Sequence, residues 1–497
     1  MVKTPHVAKQ ALRWRQRATS STTSAATRPQ VVILGAGPAG VGAAYQLARR
    51  GIAHATVLEQ RETVGGNAGS FEVEGLWADY GSHRLHPACD PEILRDLREL
   101  LGDDLCDRPR HGRIRLRGRW IHFPLKPLDL LLHLPKEFAF GVGRDMIRKI
   151  LPRHDSHPET FATILEQALG RTICRDFYFP YAYKLWGIPP EQLSVAQARR
   201  RISANSLSKL VRKVASSIPG LKPAGAGRFF YPRLGYGEIS QRLYAAAKAE
   251  EANFVFGARV TAIEREGNRV LAVRYEHEGK EQRISAANVW STLPLTVLAR
   301  SMQPEAPAEV LKAASNISYR GMILIYLVLE QDQFTEFDAH YFPEEIPISR
   351  LSEPKNYTGS IEPRNRTLLC AELPSDPTSP EWGMSDEELS KQLSSWLAQA
   401  DLPVVAPIRR VVTRRLRQAY PIYQLGYETH FETIDRWLSE LKGLVTFGRQ
   451  GLFVHDNTHH ALYMAYGAAE CFGADGSFDW ELWREFRQIF ETHVVED

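Results

Sequence analysis

A glycine-rich turn between a buried strand and a helix is the feature that most constrains this fold. Residues 31–34 are Val, Val, Ile and Leu, an apolar run typical of a strand that is covered on both faces. Gly35, Gly37 and Gly40 follow it directly, and apolar residues then recur with helical spacing. Residues 56–59 predict the next strand. The segment therefore predicts a βαβ unit that binds a dinucleotide.

The residues of this unit have separate roles in holding a pyrophosphate. The three glycines allow a tight turn, a close backbone approach and a close helix–strand contact. At Pro38 and Ala39 the helix begins, and its free N–H groups and positive dipole end favour phosphate. Glu59 follows Gly40 by 19 residues, where a carboxylate accepts hydrogen bonds from ribose hydroxyls.

A second glycine pair comes shortly after that acid, at Gly65 and Gly66, and Asn67 follows it. Two adjacent glycines allow another close approach of backbone to a cofactor, although an ordinary turn would use the same residues. His83 lies in the next loop. An imidazole titrates near neutrality, so His83 is a candidate acid or base as well as a candidate cofactor contact.

The amino-acid composition limits the classes of protein to which the chain can belong. The chain has 497 residues, is 43% hydrophobic and carries a net charge of +4, enough for a large core in two or more domains. Six basic residues and no acid lie in the first 30 residues, so the remainder is slightly acidic and gives no argument for nucleic acid binding. We expect residues 1–29 to be a disordered or a targeting tail. Five widely spaced cysteines and no membrane-length apolar run favour a reduced, cytoplasmic protein, with organelle targeting left open by the tail.

Further along the chain, the patterns predict elements of two sheets. Alternation around Arg117-Gly118 predicts a β-hairpin over 113–123, and an amphipathic helical pattern covers 126–151. That helix is typical of a packed element, and a peripheral membrane contact is the alternative. Residues 288–292 predict a buried strand that returns to the first sheet. Residues 444–449 predict an apolar strand that ends in glycine, and residues 461–472, after Asn457, predict a helix.

Several motifs together resemble the flavoprotein superfamily of UDP-galactopyranose mutase, protoporphyrinogen oxidase and the amine oxidases. Their order and spacing carry the resemblance over most of residues 30–474; they are Gly65-Gly66-Asn67, Tyr80-Gly81-Ser82-His83, Phe123-Pro124-Leu125, Tyr181 with Trp186, Tyr231-Pro232, Tyr420-Pro421 and Gly448-Arg449. The resemblance implies non-covalent FAD. It also implies a mixed α/β and α+β fold, in which a Rossmann-like FAD-binding domain of the glutathione-reductase type is interleaved with a mixed-sheet and helical substrate domain.

The resemblance also implies domain boundaries. The FAD-binding domain is expected at residues 30–87, 228–292 and 405–475. The substrate domain is expected at residues 88–227 and 293–404. A C-terminal helix or tail is expected at residues 476–497.

Site residues are carried over position by position from this resemblance. Beyond the residues of the βαβ unit, the contacts implied for the cofactor are Gly65, Gly66, Asn67, His83, Val260, Gly448, Arg449 and Asn457. The substrate contacts implied are Tyr181, Trp186, Arg200, Tyr420 and His455, and catalytic roles are implied for His83, Trp186, Arg200 and Tyr420. The chain departs from the mutases at Val454, where they carry a second arginine for the substrate diphosphate.

Three functions follow from these expectations. The first is an FAD-dependent oxidoreductase that transfers a hydride between flavin N5 and a small anionic substrate, which could be sugar- or lipid-linked, with NAD(P)H left open as a reductant. The alternative is a mutase-like isomerase in which N5 of reduced FAD is the nucleophile that attacks a UDP-sugar. The third is a non-enzymatic binding protein like the GDP-dissociation inhibitors, which the complete glycine motif and Glu59 disfavour. No metal site and no nucleic acid partner are expected, and the oligomeric state is left open.

Overall fold

The computed structural model describes residues 28–126, 129, 132–148, 159–201 and 227–495. Its β-strands are β1 Gln30–Leu34, β2 His54–Leu58, β3 Ser70–Val73, β4 Leu76–Asp79, β5 Leu105–Pro109, β6 Gly112–Leu116, β7 Arg119–Phe123, β8 Arg228–Pro232, β9 Asn253–Val255, β10 Arg259–Glu266, β11 Arg269–His277, β12 Lys280–Ser285, β13 Val289–Ser291, β14 Met302–Gln303, β15 Ser318–Leu329, β16 Ala339–Tyr341, β17 Arg350–Ser352, β18 Thr367–Ser375, β19 Ile408–Ile422 and β20 Leu444–Thr446.

The α-helices of the same ranges are α1 Pro38–Arg49, α2 Pro91–Leu101, α3 Lys136–Arg148, α4 Phe161–Leu169, α5 Arg171–Ile173, α6 Phe179–Trp186, α7 Val195–Arg201, α8 Glu238–Ala249, α9 Leu295–Arg300, α10 Ala308–Ser315, α11 Pro354–Thr358, α12 Asp386–Gln399, α13 Tyr427–Ser439, α14 Gly448–Gly451, α15 Thr458–Glu470 and α16 Trp480–Glu491. A π-helical turn, Cys174–Tyr178, joins α5 to α6.

A five-stranded parallel sheet carries the glycine motif. Its strand order is β20-β13-β1-β2-β9, so the first βαβ unit is joined by strands from three distant parts of the chain. The order agrees with the prediction that 288–292 return to this sheet, and the strand predicted at 444–449 joins it as β20. All five strands run in the same direction, so their carboxyl ends lie along one edge, where ligands bind in open α/β sheets.

The helix α1 lies in the centre of the core beside this sheet. Residues 39–48 of α1 are all buried, and the helix packs against α8 and α15. A Cβ added at Gly42 would lie 2.8 Å from Leu462 Cδ2 of α15, so the small residue lets the two helices approach closely. This packing fixes the amino end of α1, where the predicted phosphate site lies.

The largest sheet of the described ranges is mixed and has seven strands. Its strand order is β19-β15-β18-β17-β16-β6-β7. Its strands pair antiparallel except β16 with β6. The predicted hairpin is confirmed as β6 and β7, and Arg117 and Gly118 both have positive φ, as a tight two-residue turn requires. A four-stranded sheet, β12-β11-β10-β14, and two strand pairs complete the topology of the described ranges.

One predicted helix begins earlier in the structure than in the sequence pattern. The helix expected from residue 461 begins at Thr458, because the Asn457 side chain caps it. Of the helix predicted over 126–151, the structure describes α3, and residues 127, 128, 130, 131 and 149–151 lie outside the described residues. Residues 1–27 of the predicted tail lie outside them too. Within the described ranges, no helix has the combined length and apolarity needed to cross a bilayer.

Candidate active site

The turn after β1 is shaped by glycines that no other residue could replace without a clash. Gly35 has a φ of +96°, and an added Cβ would lie 2.6 Å from Thr292 Oγ1. At Gly40 an added Cβ would lie 1.9 Å from the Gly35 carbonyl oxygen. Gly35 therefore allows the left-handed turn beside the loop after β13, and Gly40 allows α1 to lie close to that turn.

Gly37 differs from both of them, because nothing lies within 4 Å of the Cβ that it lacks. It is the N-cap of α1, and Pro38 follows it at the first helical position. The helix N-terminus offers N–H groups and a positive dipole end at this open position. Open space beside these donors fits a pyrophosphate, which a side chain at residue 37 would displace.

Glu59 lies immediately after β2 and is buried. Its Oε2 accepts a hydrogen bond from the Ala36 N–H at 2.7 Å, and its Oε1 accepts one from the Arg61 N–H at 2.9 Å. A carboxylate has about four lone-pair sites, so two are left for ribose hydroxyls. The acid is thus oriented by backbone groups of the same turn that would hold the phosphates.

The second glycine turn packs against the first. The Gly65 N–H donates to the Ala36 carbonyl at 2.8 Å, and an added Cβ at Gly66 would lie 3.2 Å from Gly37 Cα. Arg61 holds this turn by donating to the Gly66 carbonyl at 2.8 Å. Asn67 follows, and its side-chain amide donates to the Gln418 carbonyl of β19 at 3.2 Å.

Gly448 closes the site from the C-terminal part of the chain. It has a φ of +83°, and an added Cβ would lie 2.9 Å from the Cβ of Ala39 in α1. Arg449 donates to the Ala419 carbonyl at 3.0 Å, and its guanidinium lies 5.1 Å from the Tyr420 ring centre. We call the group formed by Gly35–Gly40, Glu59, Gly65–Asn67 and Gly448 the cofactor cradle.

His83 lies beside the cradle in a loop that two carbonyl oxygens hold in place. Its Nε2 lies 2.9 Å from the Asn67 carbonyl oxygen and 3.1 Å from that of Tyr80. Because both partners are acceptors, Nε2 carries the hydrogen, an assignment made from the partners. Burial lowers the pKa of His83, so the neutral ring keeps Nδ1 as an acceptor.

The carboxylate of Glu372 in β18 joins this loop to the seven-stranded sheet. Its Oε1 accepts from the Ser82 N–H at 2.7 Å, and the two oxygens accept from Arg350 Nε and Nη2 at 3.0 and 2.9 Å. Such a two-point pair between buried groups fixes orientation as well as charge. Ser82 precedes His83 directly, so Arg350 and Glu372 set the position of the histidine loop.

Several tyrosine hydroxyls lie within electrostatic range of the Arg350 guanidinium. Burial is the largest single effect and lowers its pKa, but Glu372, Tyr341, Tyr420 and Tyr181 together raise the pKa by more. The pKa therefore lies well above the usual range and the guanidinium stays charged. Two of these three tyrosines, Tyr181 and Tyr420, are residues that the sequence assigned to the substrate.

Three predicted substrate residues meet in one contact group, which we call the aromatic wall: Trp186, Tyr420 and His455. The indole N–H of Trp186 donates to His455 Nε2 at 3.3 Å. The His455 ring stacks on Tyr420 with ring centres 4.9 Å apart and an interplanar angle of 7°. Trp186 and His455 are buried and Tyr420 is half-buried, so the tyrosine is the most accessible member.

The other predicted residues lie around these two groups. Tyr181 is half-buried on α6, and its ring stacks on Phe177 with centres 6.1 Å apart. Val260 lies in β10, two residues after Ala258. The backbone N–H of Ala258 donates to the backbone carbonyl of Glu59 at 2.8 Å. Arg200 lies in α7, and its side chain is outside the described part of the chain. The roles assigned to these residues stay predictions.

The loop before α15 carries a further polar cluster. Asp456 accepts from His493 Nδ1 at 2.8 Å, and the rings of His460 and His493 stack 4.2 Å apart at 14°. The ligand atoms of these three residues lie within 4.8 Å of one another. Two nearly parallel rings do not direct their nitrogen lone pairs at one point, so the arrangement suits an ion pair better than a shared metal. It ties the end of the described chain to the loop of His455.

Comparison with known proteins gives the family. A family model described as flavin containing amine oxidoreductase matches residues 38–467. The chain belongs to this family. It is therefore a flavin-dependent enzyme, and the mixed α/β fold class expected from the sequence is confirmed. FAD fits the residues present, since Gly37 leaves open space at the helix N-terminus and Glu59 retains lone pairs.

The chain is 25% identical over 285 residues to a phytoene dehydrogenase of Streptomyces griseus, covering 50% of this chain and 52% of that protein. It is 24% identical over 349 residues to an L-amino-acid oxidase of Sistrurus catenatus edwardsii, covering 65% and 62%. The chain thus matches about half to three fifths of the length of these relatives.

Solved structures show the same fold over nearly the whole chain. A reduced UDP-galactopyranose mutase superposes with a TM-score of 0.76 at 21% identity and covers 90% of this chain and 94% of its own. A proposed protoporphyrinogen oxidase from Exiguobacterium sp. 255-15 gives 0.66 at 18% identity, with coverages of 89% and 98%. The predicted resemblance to these flavoproteins is confirmed as a likeness of fold.

Sequence reasoning missed the residues that join the two halves of the site, Arg350 and Glu372. Each lies on a short or fully buried strand whose pattern is ordinary for a sheet. A charged residue inside the apolar strand β18 was the available signal, because an ionised group is buried only with a partner. The sequence did not indicate which of its 62 basic residues that partner would be.

Proposed function

We propose that this flavin-dependent enzyme is an oxidoreductase that uses non-covalent FAD and a small anionic substrate. One observation carries the proposal: Glu372 connects the His83 loop beside the cradle to Arg350, whose charge lies within electrostatic range of Tyr181 and Tyr420, and Arg449, next to Gly448 of the cradle, lies 5.1 Å from the Tyr420 ring centre. A substrate that contacts these tyrosines therefore lies next to the cofactor. Sugar- and lipid-linked phosphates are the first substrate class to test, with NAD(P)H as one candidate reductant.

The chain's own groups hold and orient the reactants. Backbone N–H groups at Gly37, Ala39 and Gly40 would receive the pyrophosphate, because Pro38 has no N–H to donate, and Glu59 would receive the ribose. When bound, FAD supplies N5 as the hydride acceptor or donor. His83 is neutral, so it offers Nδ1 as a hydrogen-bond acceptor or proton acceptor beside the cradle.

The pair of Arg350 with Glu372 leaves no unpaired charge of its own for an anionic substrate. The Arg350 guanidinium is already held at two points by Glu372, so this pair has no net charge. An anionic group on the substrate needs a further cation, and we assign that role to Arg200. The five cysteines all lie within the described ranges and form no disulfide there, which agrees with a reducing compartment, and we propose the cytoplasm as the location.

Mutase chemistry is the second candidate. The 0.76 TM-score to a UDP-galactopyranose mutase favours it, and so does the meeting of Trp186, Tyr420 and His455. Val454 weighs against it, because this side chain is buried in the core cluster that includes α1 and α15 and offers no charge to a second phosphate.

A net-redox experiment separates the two candidates. The oxidised holoprotein and the dithionite-reduced holoprotein are each mixed without oxygen with nucleotide sugars and lipid-linked sugars. An oxidoreductase bleaches its flavin absorbance as an oxidised product forms in equal amount. Product formation by the reduced protein alone, with the substrate's oxidation state unchanged, would establish the mutase reaction instead.

A further inference from the structure

The helix α3 has an apolar patch at the centre of its solvent-exposed face. Phe140 and Ile147 are 76% and 68% exposed. They lie seven residues apart, so a rotation of about 100° per residue places them on the same side of the helix. Leu132, shortly before the helix, is 64% exposed as well. Large apolar side chains in such a position mark an interaction surface more often than a solvated one.

The opposite face of α3 accounts for the packing of the helix. Phe138 is buried there, and Asp145 accepts from the Thr172 N–H at 2.6 Å. A Cβ added at Gly141 would lie 2.7 Å from Thr172 Oγ1, so the helix is seated closely on α5. Phe140 and Ile147 are therefore not needed to attach the helix to the protein.

The apolar patch has basic neighbours. Lys136 and Arg144 lie four residues before and after Phe140, on the same exposed side, and Arg148 follows Ile147. The helix also carries two acids. Glu137 is exposed and pairs with Arg117 at 3.6 Å, and Asp145, which accepts from Thr172, lies 4.0 Å from Arg144 Nε. With three cations and two acids, the helix keeps a net positive charge.

We propose that this surface, formed by Phe140 and Ile147 with Lys136, Arg144 and Arg148, binds an anionic lipid bilayer. Apolar side chains inserted at the headgroup level and cations beside them are the two contributions to interfacial binding. Pairing with a second copy fits less well, because a two-fold contact would bring the same basic side chains of both copies together. The surface lies outside the cofactor cradle, so this inference does not depend on the proposed reaction.

Vesicle sedimentation of the full-length holoprotein tests the lipid surface. We expect binding to phosphatidylcholine vesicles that contain phosphatidylglycerol, and weaker binding at high salt. Phe140→Glu with Ile147→Glu should weaken the binding by about tenfold or more. The matched control is Val405→Glu with Ile361→Glu, which changes two equally exposed apolar side chains elsewhere and should leave binding unchanged.

The basic side chains give a second, independent arm. Arg144→Gln with Arg148→Gln should weaken binding to anionic vesicles by roughly fivefold per charge, whereas Lys312→Gln with Lys391→Gln should not. Circular dichroism and bound flavin confirm that each variant is folded. The proposal is overturned if the wild type does not sediment with anionic vesicles, or if the Phe140 and Ile147 variant sediments equally well. It is also overturned if sedimentation velocity shows a dimer that this variant dissociates while vesicle binding is absent.

Discussion

The cofactor cradle and the aromatic wall differ in the chemical groups that they offer to a ligand. The cradle is made mainly of backbone, and all of it except Gly448 comes from one segment of 33 residues, Gly35 to Asn67. The wall is made of side chains from α6, from β19 and from the loop before α15. Trp186 of α6 and His455 of that loop are 269 residues apart in the chain. Backbone donors need glycines at fixed spacing, whereas side-chain contacts need a completed fold.

The junction between the two regions depends on buried charge. The Arg350–Glu372 pair lies between them, and the nearby His83 is kept neutral by burial. The cradle, by contrast, binds through N–H groups that do not titrate in the physiological range. We therefore expect changes in the cradle to remove the cofactor, and changes in the wall and its support to alter stability, pH dependence and substrate binding.

The largest effect is expected at Gly37. Gly37→Val places a side chain in the open space at the N-terminus of α1, where the pyrophosphate fits. FAD affinity should fall by about a thousandfold or more, equivalent to about 4 kcal/mol. Flavin absorbance per protein after gel filtration measures the loss, and normal circular dichroism shows that the fold remains.

Gly383→Val is the matched control for this experiment, because Gly383 also has nothing within 4 Å of its absent Cβ and lies outside the cradle. Its flavin content should equal that of the wild type. A folded Gly37→Val protein with a full complement of FAD would contradict the position assigned to the cradle.

The next effect is expected at the junction. Glu372→Ala leaves the Arg350 guanidinium buried without its carboxylate and removes the acceptor of the Ser82 N–H. The free energy of unfolding should fall by about 3–5 kcal/mol, as for other broken buried ion pairs. Urea unfolding followed by fluorescence measures this change.

Glu264→Ala, which removes a surface carboxylate paired with Arg274 and Arg283, should have a much smaller effect. Replacing the junction pair together, as Arg350→Met with Glu372→Leu, should restore much of the stability, since no charge is then buried alone. Equal losses for Glu372→Ala and Glu264→Ala would show that the junction is not a buried pair in solution.

A smaller effect is expected in the wall. Trp186→Phe keeps an aromatic ring but removes the N–H that donates to His455 Nε2. The unfolding free energy should fall by about 0.5–1.5 kcal/mol, the net contribution of one hydrogen bond, while FAD content stays the same. Trp396→Phe, at a half-buried position of α12, serves as the control. Loss of FAD in Trp186→Phe would mean that wall and cradle are not separate.

The smallest effect at neutral pH is expected at His340 of the seven-stranded sheet, because its contribution to stability changes only in acid. Burial, with a contribution from Arg113, lowers the pKa of His340 to about 3. The unfolded state binds a proton below about pH 6.5 and the folded state does not, so this histidine makes stability fall as pH decreases from about 6.5 to 3. His340→Phe should reduce that slope by up to about 1.4 kcal/mol per pH unit. His54→Phe, at an exposed position of β2, should leave the slope unchanged.

The same contrast explains how much could be predicted from the sequence. The βαβ unit, the returning strands and the Arg117-Gly118 turn follow from local patterns, because glycine spacing and period-two alternation act within a few residues. The meeting of Trp186 with His455 spans 269 residues and depends on how α6 packs against the C-terminal loop. Family resemblance named those residues, but neither it nor the pattern indicated the Arg350–Glu372 junction.

A ligand titration tests most directly whether the two regions together form a site for an anionic substrate. UDP is added to the oxidised holoprotein and binding is followed by flavin absorbance in wild type, Arg200→Ala and Arg199→Ala. Arg199 is the matched control, since it is exposed and lies 3.9 Å from Glu159 on the surface. Loss of one charge-assisted contact, about 1.5–3 kcal/mol, should weaken UDP binding by roughly ten- to a hundredfold in Arg200→Ala alone. Equal affinities in all three proteins, or no flavin response to UDP at all, would contradict an anionic substrate site beside the cofactor.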